Sequence, residues 1–160
     1  GGNIGLESDG DLTYNPSTNV LTTTATAARY SDIAERYEAD EELGFGTVVT
    51  IGGSKEITAV DAELSDTVFG VISKQPAYMM NSDAGSDETH PFVAVAGRTP
   101  VKVIGAITKG QRIVSSSTRG VARAVTESDT INPFHVLGRA LESKTDEAIG
   151  MVNCVVRINN

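Results

Sequence analysis

Ser31 stands directly before Asp32, with Glu35 three residues further on, so one hydroxyl and two carboxylates fall within five positions. A serine next to acids has the residue types for nucleophilic attack assisted by a carboxylate base or acid. Peptide-bond attack would also need a strained backbone and a poised carboxylate, and the sequence shows only adjacency. Ser31 followed by an acidic run is equally the start of a helix, with Ser31 as N-cap and the acids at the positive end of the dipole, and this is the preferred reading. A second group is Tyr78-Met79-Met80, which precedes a polar loop at 81–91 carrying Asp83, Asp87 and His90. An aromatic and two thioethers beside such a loop form a candidate contact surface for a partner. The same side chains suit a core or a subunit interface, where Met fills irregular gaps, and that reading is preferred.

Other chemistry is poorly supplied. Cys154, the only cysteine, lies in the apolar run 151–158, so no intrachain disulfide forms and a buried, inert thiol is expected. His90 precedes Pro91 and His135 sits in Phe-His-Val-Leu-Gly; neither has neighbours at metal-ligand spacing, so no metal or other cofactor is expected. The chain has no G-x-S-x-G elbow, P-loop or H-E-x-x-H. Gly44-Phe-Gly46 and Gly52-Gly53 read as turns rather than phosphate cradles, because no helix clearly follows them. A glycosidase would need two carboxylates facing one cleft, which spacing along a strand-rich chain cannot supply as an argument.

The elements that must position these residues are short β runs separated by Gly, Ser and Asp. Strands are expected near 45–51, 57–60, 67–73, 92–96, 99–104, 112–115, 121–125, 136–142 and 150–158. Their β-branched content and turn spacing predict an all-β barrel or sandwich with at most one short helix. Residues 30–44 stay open between helix and strand: Tyr30, Ile33 or Ala34, and Tyr37 share a helical face, while Ile33, Glu35 and Tyr37 alternate in a strand. Two stretches look related. Gly46-Thr-Val-Val-Thr and Gly110-Gln-Arg-Ile-Val each open a strand, followed by a second strand, an Asp-Thr pair and a Gly-containing strand (Phe69-Gly70-Val71 and Leu137-Gly138-Arg139).

Near the N-terminus, Asp11–Thr23 reads as a hairpin, with runs at 12–14 and 20–23 flanking Asn15-Pro16-Ser17-Thr18-Asn19. Pro presets φ, and the Asn and Ser side chains bond their own backbone. A lone hairpin is marginal in water, and the Thr- and Ala-rich stretch after it has too little apolar bulk to cover it. Copies of the hairpin from other chains are the expected partners. The thin core supports association: there is no Trp and aromatics are 5% of the 160 residues. Residues 1–28 are therefore read as the end of a shaft or connector, and 29–160 as a globular domain.

The net charge is −8, which argues against a nucleic-acid partner. Residues 1–80 hold 13 acids and 4 bases, whereas residues 81–160 hold 8 acids and 9 bases. A solvated acidic surface is the preferred reading over contact between acidic and neutral faces of neighbouring subunits. No run approaches a membrane span, and membrane insertion is not expected. The opening Gly-Gly-Asn-Ile-Gly-Leu-Glu lacks the marks of a signal peptide and reads as an excision from a longer chain.

Tyr30-Ser-Asp-Ile-Ala-Glu-Arg-Tyr-Glu is similar to the opening of C-terminal domains on phage tail fibres and neck appendages. The similarity continues through Gly46-Thr-Val-Val, Val68-Phe-Gly-Val-Ile-Ser, Pro76-Ala-Tyr-Met-Met-Asn, Ala96-Gly-Arg-Thr-Pro-Val-Lys-Val, Gly110-Gln-Arg-Ile-Val-Ser-Ser, Gly120-Val-Ala-Arg-Ala and Gly138-Arg-Ala-Leu-Glu. In this order the motifs cover most of residues 30–158 and resemble structural proteins of tailed phages, especially those of marine cyanobacteria. More distantly they resemble the self-cleaving intramolecular-chaperone domain called peptidase G2. The resemblance implies a virion component, a non-catalytic homotrimer that meets other virion proteins and a host cell-surface glycan or protein. Tyr78, Met79, Met80, Asp83, Asp87 and His90 are then the receptor-contact candidates. It also implies two alternatives. One is self-cleavage within residues 30–38, with Ser31 as nucleophile and Asp32 or Glu35 as base or acid. The other is a carbohydrate-binding or carbohydrate-degrading tailspike.

Overall fold

A computed structural model describes residues 13–23 and 27–158. Among these residues twelve strands form: β1 Thr13–Asn15, β2 Val20–Thr22, β3 Asp32–Arg36, β4 Val48–Ile51, β5 Ile57–Ala59, β6 Val68–Ile72, β7 Tyr78–Met80, β8 Phe92–Val103, β9 Arg112–Ser115, β10 Ala122–Ala124, β11 Val136–Ala140 and β12 Gly150–Arg157. The only helical piece among the described residues is the 3-10 turn Pro133–His135, capped by Asn132. The expectation of an all-β fold holds, and among the described residues no helix is long and apolar enough to cross a membrane.

β1 and β2 make a two-stranded antiparallel hairpin. Its turn works as the residue types predict: Asn15 Oδ1 accepts from Ser17 N at 3.0 Å and from Ser17 Oγ at 2.7 Å. Every residue of both strands is exposed, Tyr14, Val20 and Leu21 included. Leu12, residues 1–11 and residues 24–26 lie outside the described residues, as does the expectation attached to the opening segment.

The remaining strands form one sheet in the order β10-β9-β11-β12-β8-β6-β4-β5, with β3 joining β7 to β8. A parallel contact of Ala122 in β10 with Val103 in β8 closes β8, β12, β11, β9 and β10 into a five-stranded barrel. Val101, Val103, Ile113, Leu137, Val152 and Cys154 belong to the buried cluster at this barrel. A second cluster, including Val49, Ile57, Phe69, Ile72 and Val93, lies on the other side of β4 and β6. Tyr37 packs edge-on to Phe69 there, with ring centroids 5.0 Å apart.

The two related stretches fold alike, residue for residue. Val49 pairs with Ala59 on one side and Gly70 on the other; Ile113 pairs with Ala124 and Gly138. Each Gly strand bulges at the same place, so that Thr50 faces Val68 past Phe69 and Val114 faces Val136 past Leu137. The entry turns match too: Gly46 N donates to Ile72 O at 2.9 Å, and Gly110 N to Ala140 O at 2.8 Å. The repeated glycines have a common cause in close backbone approach. A Cβ on Gly70 would lie 2.8 Å from Ala94 O, and one on Gly138 would lie 2.1 Å from Val155 O.

Two local expectations are corrected. No helix follows Ser31, so it is not an N-cap; β3 is a strand whose Asp32 and Ala34 point inward. The burial of alternate side chains against β8 outweighs the helical propensity of the segment. Residues 92–96 and 99–104 are not separate strands but one, β8, bent at Gly97. Pro100 is tolerated because no strand pairs with β8 at that position on the side away from β12: Arg98 N and Lys102 N donate to Ser31 O and Gly46 O, and Pro100 falls between them.

Candidate functional site

Gly97 shapes the neighbourhood of Ser31 and Asp32. Its φ is +113°, and a Cβ there would stand 2.3 Å from Ser31 O and 2.8 Å from Asp32 Cα. Only glycine lets β3 come this close to β8, and a register shift between Ile33 and Ala34 lies beside the contact. Beside this junction is a cleft of about 270 Å³, lined by Arg29, Ser31, Asp32, Ser73, Lys74 and Arg98 among others.

Asp32 is 4% exposed, and its Oδ2 is buried with no hydrogen-bond partner. Burial pushes its carboxyl above the ordinary carboxylate range, opposed by hydrogen bonds from the Ser73 side chain and its own backbone. Ser31 is exposed, and its hydroxyl reaches Arg98 O at 3.5 Å, the limit of a hydrogen bond. Ser31 and Asp32 therefore face opposite ways, as successive residues of extended chain do. Glu35 is engaged elsewhere, accepting from the Tyr37 hydroxyl at 2.9 Å. Burial pushes the Tyr37 phenol up to about 12, with Glu35 adding to the effect. The structure thus does not assemble Ser31, Asp32 and Glu35. It brings Ser73 to Asp32 instead, a long-range partner that no spacing in the sequence could reveal.

The contact candidates lie at the sheet edge. Among the described residues β7 pairs in parallel with β3 and with no other strand, placing Tyr78 beside Ile33. Tyr78 is 65% exposed and Met79 54%, so they are not core residues of this chain; Met80 is half-buried. The loop after β7 is held by Arg36, whose Nε donates to Ser82 O at 3.1 Å and whose Nη2 meets Asp87 Oδ1 at 2.8 Å. Its Nη1 donates to His90 O, and the guanidinium stacks 3.9 Å from the Phe92 ring centroid. Asp83 is exposed and His90 is half-buried.

Cys154 is fully buried, and burial raises its thiol to about 12. His135 lies in the 3-10 turn rather than in a strand, with Nε2 2.5 Å from Asp66 Oδ1. Among the described residues no cluster of three His, Cys, Asp or Glu side chains suits a metal. The Asp32 cleft and a larger one over the barrel contain one carboxylate between them, Asp32, so neither holds the pair a glycosidase needs.

Fold and site define a small closed β-barrel domain, built on an internal repeat and carrying one buried acid at a backbone junction. It is similar to the crystal structure of pre-mature bacteriophage phi29 gene product 12, with a TM-score of 0.60 and 14% identity over 87% of this chain. The chain spans only 23% of that protein. It is also similar to a C-terminal fragment of the same gene product, with a TM-score of 0.51 and 16% identity over 79% of this chain and the whole of the fragment. The base of the phi29 head fibre gp8.5 aligns at a TM-score of 0.46. At these identities the likeness is one of fold. No family model and no curated protein matches the chain.

Proposed function

We propose that this chain is a virion structural domain of a tailed phage: a non-catalytic, trimeric tail-fibre or appendage piece that supports fibre assembly and host attachment. The observation that carries the reading is the likeness to the C-terminal fragment of phi29 gene product 12, joined to a hairpin whose six strand residues are all exposed. Three chains bring three hairpins together and bury what one chain leaves open. Trimerising a compact domain raises the local concentration of attached shaft strands, whose non-local pairing is otherwise slow. The exposed edge of Ile33, Tyr78 and Met79, with the loop pinned by Arg36, is the surface assigned to the receptor or to a neighbouring subunit. Size exclusion with light scattering and intact mass tests the reading: a trimer of uncut chains supports it, and a monomer refutes it.

Asp32 supports a second reading, self-cleavage. A buried carboxyl with a raised pKa and a free oxygen beside Ser73 has the character of a proton donor or acceptor. Two fragments after folding, abolished by Asp32→Asn, would establish it; intact chain in the wild type would refute it.

A further inference from the structure

Four arginines of the second half lie on one outward face of the barrel. Register places Arg112 of β9 opposite Arg139 of β11, Arg139 opposite Val155 of β12, and Val155 opposite Arg98 of β8, a single row across four strands. Arg157 lies two residues beyond Val155, on the same side of β12. All four arginines are exposed, and no described carboxylate forms a salt bridge with any of them. Like charges directly opposite in a ladder repel, so the Arg112–Arg139 pair has a cost that an anion placed over it would relieve. Three of the four, Arg112, Arg139 and Arg157, line a cleft of about 590 Å³ with Asn132, Pro133 and Val155 among others, while Arg98 lines the cleft beside Asp32.

The internal repeat shows what is unusual here. The counterparts of Arg112, Arg139 and Val155 in the first half are Val48, Val71 and Ala94, all buried. In the first half both faces of the sheet are covered within the chain; in the second half the corresponding face is open and cationic. The chain itself supplies the complementary charge. Its first 80 residues hold 13 acids against 4 bases, and Glu42 and Asp61 are exposed and form no salt bridge among the described residues. The two halves already attract within one chain through Arg119–Glu41 and Arg123–Glu63.

We infer that this arginine face is the contact surface for a second copy of the chain, met by the acid-rich first half of the neighbour. The arginine row and the acid-rich half are different surfaces, so a contact of one with the other is head to tail, and head-to-tail contacts that close give rings. Arginine among apolar side chains, with Lys and Glu sparse, is the composition of an interface centre. The inference rests on the trimer reading and adds its surface and its polarity.

The test is light scattering on the full chain, wild type against Arg112→Glu/Arg139→Glu, with circular dichroism to verify the fold. Arg112→Gln/Arg139→Gln serves if the reversal does not fold. The expected result is a wild-type trimer that loosens with added salt, and a folded variant whose dissociation constant rises on the order of a hundredfold. A variant that stays as trimeric as wild type overturns the arginine face while leaving the trimer reading intact. A wild-type dimer overturns the head-to-tail contact. A wild-type monomer overturns both readings, and arginine-dependent binding of that monomer to heparin would assign the face to a polyanion instead.

Discussion

The barrel wall at Gly138 allows a substitution to be worked through from the backbone. In Gly138→Ala the new Cβ would stand 2.1 Å from Val155 O and 3.0 Å from Val155 C and Val156 Cα. All three are main-chain atoms, so no rotamer change relieves the overlap, and β11 must retreat from β12 by roughly 1 Å. The retreat weakens the ladder over Gly138–Val156, Arg139–Val155 and Ala140–Cys154. At a net 1 kcal/mol or so for each weakened pairing, the loss is about 3 kcal/mol. With an unfolding entropy near ~2 cal/mol/K per residue over this domain, Tm falls by ~11 °C. Gly70→Ala is the internal control, because it occupies the same bulge in the first half. Its Cβ meets the buried Val93 Cγ1 at 2.5 Å, and its nearest main-chain atom, Ala94 O, stands at 2.8 Å rather than 2.1 Å, so a smaller loss is expected. Thermal unfolding followed by circular dichroism, at one fixed protein concentration because an oligomer's Tm depends on it, reads both. A Gly138→Ala protein melting within ~3 °C of wild type, or a Gly70→Ala protein melting lower than Gly138→Ala, refutes the reasoning.

Two further predictions concern charge. Arg123 grips Asp129 through Nη1–Oδ2 at 2.7 Å and Nη2–Oδ1 at 2.8 Å and holds its carboxyl far below the usual range. That stability is present above the ordinary carboxylate pKa and is lost as pH falls through the lower folded value, so urea midpoints should drop between about pH 4 and pH 2. Arg123→Ala should cost about 3 kcal/mol at pH 7 and flatten the drop, and an unchanged pH profile would contradict this. At Asp32 the sign is opposite: burial raises the folded pKa, so stability declines as pH rises from the ordinary value through the raised one. Asp32→Asn should remove that decline and leave the protein at least as stable at pH 7; a variant much less stable there would show that the ionised carboxylate holds the fold.

β-branched runs and their turn residues carried the fold class, and strand positions such as 112–115 were legible from them. So was the hairpin turn, because Asn15 and Ser17 act within a few residues of one another. Even the repeat left a trace, since Gly70 and Gly138 are each required by a neighbouring strand's backbone. The site was less legible. Ser31 and Asp32 are adjacent in sequence and point apart in space, because an extended chain alternates its side chains. Ser73 reaches Asp32 only through the pairing of β3 with β8, and Arg36 holds residues 82–90 only once β7 lies beside β3. Residue types and short spacings fix the hairpin turn, the thin aliphatic core and the uneven charge of the two halves, whereas the strand at Asp32–Arg36 was settled by its packing against β8. Long-range packing leaves both sheet faces of the first half covered and the arginines of the second half on one open face, because which face of a strand is buried depends on what the rest of the chain places against it.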